Sequence, residues 1–219
     1  MLSCVNLKLK LLEKFIEEEL NLDSSKFMTG FILYDKLLLE WNQKVNLISR
    51  KSVSTEEHVL NSIYFLKRYN FSKVKTIVDI GTGGGFPGIP LKIIFPETEV
   101  LFIDSIKKKM VALEDIVKNM NLKNVKIECG RAEEFAENKI YRRKYDIVIS
   151  KAVAPLENLY QWGRSFMAVK GEMLCLKGGD INEELNALNK LKYKFYVKVN
   201  KFEFADEYKI EDKKLVIIS

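Results

Sequence analysis

Five glycines fall within residues 81–88, directly after the short apolar run Thr76-Ile77-Val78-Asp79-Ile80. No other feature of the chain constrains its fold as strongly. A brief apolar run bounded by glycine reads as a buried strand. Glycines at the carboxyl end of such a strand accept positive φ and let a ligand approach the backbone. Each also costs backbone entropy, so a turn that serves packing alone is the weaker explanation. Pro87 suits the first turn of a helix after the loop.

The same alternation continues downstream. The patterning predicts strands at 76–80, 100–104, 125–129, 146–150 and 172–177. Helices are expected at 86–95, 107–120, 156–168 and 180–192, and strands at 195–204 and 214–218 close the chain as an antiparallel pair. Strands alternating with helices give an α/β fold with a parallel sheet covered on both faces.

Residues 1–70 read differently. Leu9, Leu12, Phe15, Ile16 and Leu20 recur at helical spacing, as do Phe31, Tyr34, Leu37, Leu38 and Trp41, and then Val59, Ile63 and Leu66. Asp23-Ser24-Ser25 and Ser54-Thr55-Glu56-Glu57 are helix-start signals. The expected organisation is a helical region over 1–70 packed on a sheet domain over 71–219, with no internal repeat and no flexible linker.

Composition excludes several classes. With 47% hydrophobic residues, eleven glycines and four prolines in 219 residues, the chain is neither disordered nor collagen-like. The formal charge of +6 divides into +1 before residue 70 and +5 after it. That excess permits a nucleic-acid partner without demonstrating one. Cys4, Cys129 and Cys175 are odd in number, widely spaced and without a C-x-x-C, which argues for a reducing compartment. Cys129 and Cys175 are read as small core residues. His58 is the only histidine, so a multi-histidine metal site is impossible and no metal is expected. It reads as a partly buried helix histidine, with substrate contact or support of the ligand pocket as the alternative. Neither a signal peptide nor an uncharged membrane-length run is evident, and the chain reads as soluble, cytoplasmic and monomeric.

Asp104 ends the second strand, 23 residues after Gly81. A carboxylate there can accept both ribose hydroxyls of a nucleoside ligand. Two ligand classes fit. Residues 83–88 match the dinucleotide pattern G-x-G-x-x-G, but two residues beyond the strand; counted from Gly81 the third glycine is replaced by Phe86. The alternative is S-adenosylmethionine, whose sites show an acidic residue and then G-x-G-x-G, here Asp79, Gly81, Gly83 and Gly85. Its sulfonium is cationic, which suits a nearby carboxylate.

The run D-I-G-T-G-G-G-F-P-G-I-P-L from Asp79 closely resembles the 16S ribosomal RNA small-subunit methyltransferase G family, also called glucose-inhibited division protein B. Asp104-Ser105 with Lys108, Gly130-Arg131-Ala132-Glu133-Glu134, Ser150-Lys151-Ala152-Val153-Ala154 and Leu176-Lys177-Gly178 extend the resemblance. Trp41-Asn42-x-Lys44-x-Asn46-Leu47 and the segment from His58 to Ser62 complete it. It implies a class I S-adenosylmethionine-dependent methyltransferase (Rossmann-like) sheet and N7 methylation of a guanine in the decoding-region loop of 16S ribosomal RNA, on the RNA or the small ribosomal subunit. It places the methionine moiety of the donor against Gly81 and the loop to Phe86, the ribose on Asp104, and the adenine beside Ala132 and Glu133. Lys151 would stand where donor and acceptor meet, and with Arg131 is a candidate catalytic residue. The family usually has arginine at 151 and aspartate at 61; this chain has Lys151 and Asn61. Lysine keeps the charge but loses the planar fork.

The fourth strand bears on the acceptor. Ser150-Lys151-Ala152-Val153 lacks the Asp/Asn-Pro-Pro-aromatic run of adenine-amine methyltransferases, and no cysteine is placed for cytosine-C5 chemistry. Guanine N7 offers a lone pair without deprotonation, so alignment and electrostatics suffice. Lysines 107–109, the Arg142-Arg143-Lys144 run and the lysines at 190, 192, 194, 198 and 201 are candidates for RNA contact at the carboxyl edge of the sheet. Arg131 is expected to reach a phosphate or pair with Glu133 or Glu134. Lys177 is expected to face the cleft or end its strand in solvent, and Trp41 to belong to the helical core. A small-molecule methyltransferase with the helices as a lid, a nicotinamide-dependent oxidoreductase and a nucleoside-binding module are the competing readings.

Overall fold

The computed structural model describes residues 9–49 and 54–219; Cys4 lies outside them. Seven strands form one sheet: β1 (Thr76–Ile80), β2 (Glu99–Asp104), β3 (Val125–Cys129), β4 (Tyr145–Lys151), β5 (Met167–Gly178), β6 (Val197–Phe202) and β7 (Lys213–Ile218). Their order is β3-β2-β1-β4-β5-β7-β6. The first five run parallel, and β7 is antiparallel to both neighbours. The closing hairpin forms as the patterning predicts, but its second strand lies next to β5. β7 is buried from Lys214 to Ile218 and suits the interior. β6 alternates Val-Lys-Val-Asn-Lys-Phe and suits an edge, where lysines discourage further pairing.

Helices cover both faces: α1 (Lys10–Glu18), α2 (Met28–Asn42), α3 (Glu56–Ile63), α4 (Gly88–Ile94), α5 (Lys107–Asn119), α6 (Ala132–Ala136), α7 (Leu156–Gly163) and α8 (Asn182–Asn189). One core cluster joins Phe15, Phe31, Leu38 and Ile63 of α1–α3 to Phe102, Ile149 and Leu174 of the sheet. The opposite face packs Val78, Ile103, Val148 and Met173 against Leu156, Tyr160 and Leu188. Four polar ties fix the N-terminal helices in place. The Glu56 carboxylate accepts from the Leu12 N–H at 3.0 Å, capping the first turn of α1. Asp35 accepts from the Thr55 N–H at 2.6 Å. The Trp41 indole donates to Asp115 of α5 at 2.7 Å, and the Tyr64 hydroxyl donates to the Lys214 carbonyl at 2.8 Å.

Several expected boundaries move. The helix expected at 86–95 begins at Gly88, with Pro87 as its N-cap rather than in its first turn. The helix expected at 156–168 ends at Gly163, because the Phe166 carbonyl accepts from the N–H groups of Lys144 and Tyr145 and Met167 already pairs with Tyr145. The five-residue α6 carries Glu133 and Glu134 and has too little apolar periodicity to be read in advance.

From β1 the sheet runs outward through β2 and β3 on one side and through β4 and β5 on the other. The crevice at the carboxyl ends of β1 and β4 is therefore the topological switch point, where open α/β sheets bind ligands.

Candidate active site

A cavity of about 470 Å³ opens at that crevice. Its floor is the loop after β1. The Gly81 N–H donates to the Ile103 carbonyl at 2.8 Å, and the Gly85 and Phe86 N–H groups donate to the Thr82 carbonyl. This winding needs positive φ at Gly81, Gly83 and Gly85. A Cβ at Gly83 would have nothing nearer than the Lys109 Nζ at 4.0 Å, so this glycine presents its backbone to open space.

Asp79 and Asp104 hold the loop from two sides. Asp79 is fully buried, and its Oδ2 accepts from the Thr82 hydroxyl at 2.8 Å and the Gly88 N–H at 2.9 Å. Its Oδ1 is buried without a partner. Burial pushes this carboxyl up to about 7; the bonds from Thr82 and Gly88 and the Lys151 cation oppose that rise. Asp104 faces the cavity, where Oδ2 accepts from the Gly83 N–H and Oδ1 from the Ile106 N–H, both at 2.9 Å. A carboxylate has about four lone-pair sites, so Asp104 keeps acceptor capacity for a ligand.

The far wall is formed by β4 and residues 152–153 beyond it. The Ser150 hydroxyl donates to the Ile80 carbonyl at 3.1 Å, which sets Lys151 beside the loop. The Lys151 Nζ lies 5.4 Å from the Phe86 ring centroid. Burial lowers its pKa, with Asp79 opposing and Lys213 adding to the fall. His58 tilts against the same ring at 5.7 Å, and its pKa is lowered by burial and then by Lys151. The histidine therefore supports the pocket through Phe86.

Sequence reasoning places Gly81, Gly83, Phe86, Asp104, Arg131, Ala132, Glu133 and Lys151 at the site, and all eight line this cavity. Asp79 and Gly85 stand behind the wall: the one ties the loop down, while the other packs on Ile89 and Leu113. Arg131 is exposed, with no carboxylate within ion-pair distance among the described residues, so the pairing with Glu133 or Glu134 is absent. Instead the Glu134 carboxylate accepts from the Arg131 N–H at 3.4 Å, capping α6. Lys177 neither faces the cleft freely nor ends in solvent. It donates to the Ala154 carbonyl and pairs with Glu184, both at 2.6 Å, fixing the segment after β4 where Ala152 has φ 54°. Cys175 is buried, but Cys129 is exposed at the end of β3, correcting its core assignment.

Ile48, Ile106 and Trp162 also line the cavity, and nothing in the sequence singles them out. Lys109, one of the lysines considered for RNA contact, stands with them. Leu47 and Ile48 are held at the cavity by Asn42, whose Oδ1 accepts their N–H groups at 2.8 and 2.9 Å respectively. Asn42 stands in the Trp41-Asn42 motif, the one signal that points to this segment.

The candidate RNA-contact groups separate once the strands are in register. Arg142, Arg143 and Lys144 precede β4, and Lys190, Lys192 and Lys194 follow α8 and precede β6. All six therefore lie at the amino edge, opposite the cavity, whereas Lys198 stands level with Ile149 and Asp79 through Ile217 and Leu174. Lys201 pairs with Lys214, which pairs with Lys177, so this row lies toward the carboxyl edge.

The sequence of residues 28–215 matches the family model described as rRNA small subunit methyltransferase G. The chain belongs to that family. It is 38% identical over 194 residues to ribosomal RNA small subunit methyltransferase G of Clostridium novyi, covering 88% of this chain and 79% of the relative. To the protein of the same name from Phocaeicola vulgatus it is 40% identical over 195 residues, covering 85% and 88%. Among solved structures, a putative O-methyltransferase from Klebsiella pneumoniae superposes with a TM-score of 0.57 at 12% identity, covering 84% of this chain and 88% of that one. The PH0226 protein of Pyrococcus horikoshii gives 0.56 at 14% identity, covering 82% and 98%. These likenesses show the fold alone, an α/β Rossmann-like sheet.

As a family member the chain is a methyltransferase with S-adenosylmethionine as donor. The residues present fit that donor. The cavity offers open backbone at Gly83, a carboxylate at Asp104 and apolar walls at Ile106, Ala132 and Trp162.

Proposed function

We propose that this chain transfers a methyl group from S-adenosylmethionine to N7 of a guanine in the decoding-region loop of 16S ribosomal RNA. The observation that carries the reading is the composition of the cavity. Among the described residues its acidic lining is Asp104 and Glu133, at the donor end; Lys151 and His58, whose ring packs against Phe86, border the other end, and no carboxylate lines it. An acceptor that must lose a proton wants a base beside it; guanine N7 carries its lone pair in the plane of the ring and wants only alignment.

When bound, the donor supplies an electrophilic methyl on a sulfonium, and the N7 lone pair forms the new N–C bond as the S–C bond breaks. The protein's part is to position. Gly81 to Phe86 hold the methionine end, Asp104 the ribose, and Ala132 and Glu133 the adenine. Lys151 borders the acceptor side, and Arg131, exposed and without an ion-pair partner among the described residues, takes a phosphate of the RNA. Residues 1–70 act as a helical unit packed on the methyltransferase domain 71–219. The small ribosomal subunit or its RNA is the partner, in the cytoplasm, with the enzyme acting as a monomer.

The test is transfer of labelled methyl to hypomethylated small subunits or their naked RNA, with the modified base mapped. N7-methylguanine at one position supports the proposal. Label confined to small metabolites, or to another atom of the RNA, overturns it. RNA binding should also weaken steeply with salt.

A further inference from the structure

A second, smaller chamber of about 160 Å³ adjoins the donor cavity and shares His58, Lys151 and Ala152 with it. Its remaining walls come from α3, from the turn after it and from the ends of β5 and β7: Asn61, Tyr64, Gly178 and Lys213 among them. Most polar groups around it are already committed. The Tyr64 hydroxyl donates to the Lys214 carbonyl, and Lys177 is held by Ala154 and Glu184.

Two groups are not. The Asn61 Nδ2 donates to the Glu57 carbonyl of its own helix at 2.9 Å, which fixes the amide's orientation. Its Oδ1 is buried and has no hydrogen-bond partner. A buried acceptor left unsatisfied costs free energy, and this one belongs to a chamber-lining side chain. Lys213 has no carboxylate within ion-pair distance among the described residues, although it too lines the chamber. Beyond the wall shared with the donor cavity, which carries Lys151, the chamber thus presents one acceptor and one cationic donor.

We propose that this chamber is the acceptor-base subsite, in which the Asn61 amide oxygen accepts from the N–H donors on the Watson–Crick edge of a guanine while the Lys213 ammonium donates to its O6. This rests on the reading of the chain as a guanine-N7 methyltransferase. Along guanine's rim the order is N7, then O6, then N1–H and the 2-amino group. Across the chamber the order is the shared wall with the donor cavity and then the side lined by Asn61 and Lys213. Adenine presents an amine where guanine has O6 and an acceptor where guanine has N1–H, so both groups would oppose it. Sites built to hydrogen-bond a substrate reject analogues that leave those groups unpaired.

The experiment compares Asn61→Leu with Asn61→Asp on hypomethylated small subunits. Asn61→Leu keeps roughly the shape and removes the acceptor; Asn61→Asp keeps an acceptor oxygen and removes the amide. Asn61→Leu should lower kcat/KM for the RNA at least about tenfold, while donor affinity by calorimetry and the melting temperature stay near the wild-type values. Asn61→Asp should retain most of the wild-type rate. Equal losses in both variants, or wild-type transfer by Asn61→Leu, would overturn the subsite. Wild-type protein that binds donor but places no methyl on guanine N7 would instead overturn the underlying function, so the two failures are distinguishable.

Discussion

The Tyr34 hydroxyl donates a 2.8 Å hydrogen bond to the Gly84 carbonyl, with both groups buried. Through this bond a helix of the N-terminal region holds the floor of the donor site, 50 residues away in sequence. The Tyr34 ring also lies 5.4 Å from that of Phe86, so the same side chain steadies the loop at two points.

Tyr34→Phe should therefore act on ligand binding as well as on stability. It leaves the Gly84 carbonyl buried and unpaired, a loss of about 1–3 kcal/mol. Thermal denaturation should show the destabilisation, and calorimetry should show weaker S-adenosylmethionine binding. A lower melting temperature with unchanged donor affinity would mean that the loop keeps its shape without this tie.

The glycines of the loop should separate into two classes. At Gly88 a Cβ would meet the Phe102 ring at 2.3 Å and the Asp79 Oδ2 at 2.8 Å, so Gly88→Ala forces the core apart. Overpacking of this kind costs about 1–3 kcal/mol. Gly83→Ala meets no neighbour and bears only the cost of its φ of 57°, about 1–2 kcal/mol. Its larger effect should be on donor affinity, because the added methyl projects where the ligand's backbone contact lies. Comparing the two variants by donor titration and chemical denaturation checks the division.

Asp79 makes stability depend on pH in a defined window. Its carboxyl, raised by burial to about 7, holds a proton in the folded state that the unfolded chain releases near 4. Between those values the native state binds more protons, so stability falls as pH rises from about 4 to about 7 and is flat with respect to this group above that. Asp79→Asn keeps the oxygen that accepts from Thr82 and Gly88 but cannot ionise. The difference between its denaturation midpoint and the wild-type midpoint should shift in the variant's favour across that window. A constant difference from pH 4 to 8 would contradict the assignment.

Lys177→Met should loosen the segment after β4. It removes the donor to the Ala154 carbonyl and the ion pair with Glu184, whose carboxylate also accepts from the Leu156 N–H at 2.9 Å. Hydrogen bonds to charged groups contribute about 1.5–3 kcal/mol. Glu184 is partly exposed, so the loss should fall toward the lower figure. Amide hydrogen exchange at residues 152–156 should rise in the variant.

Much of the fold was legible because β1, β2 and β4 are short apolar runs, buried on both faces, and the glycine turn marks where the first of them ends. The site was legible where it is local. Asp104, Ala132 and Glu133 sit at or just beyond the ends of their strands, and strand ends converge at a switch point. What escaped is tertiary. Tyr34 reaches the Gly84 carbonyl 50 residues on, and nothing in its own neighbourhood announces it. Six of the basic residues expected at the carboxyl edge lie at the amino edge instead, because charge patterning does not say which edge of a sheet a residue reaches. For Arg142, Arg143 and Lys144 the edge is set by their preceding β4, and for Lys190, Lys192 and Lys194 by their following α8. Cys129 looked like core because its strand is apolar in pattern, yet β3 is an edge strand and only partly buried.

In the proposed complex the cavity between Gly81, Asp104 and Ala132 holds S-adenosylmethionine with its ribose on Asp104. Calorimetric titration of wild-type and Asp104→Asn protein with the donor tests it most directly. Asparagine keeps one acceptor for the loop but loses the charged pair of oxygens, and a hydrogen bond to a charged group contributes about 1.5–3 kcal/mol. The expected result is one-to-one binding by the wild type, and binding by a folded Asp104→Asn variant weakened at least about tenfold. No heat with the wild type, or equal affinity in the two proteins, would contradict the account.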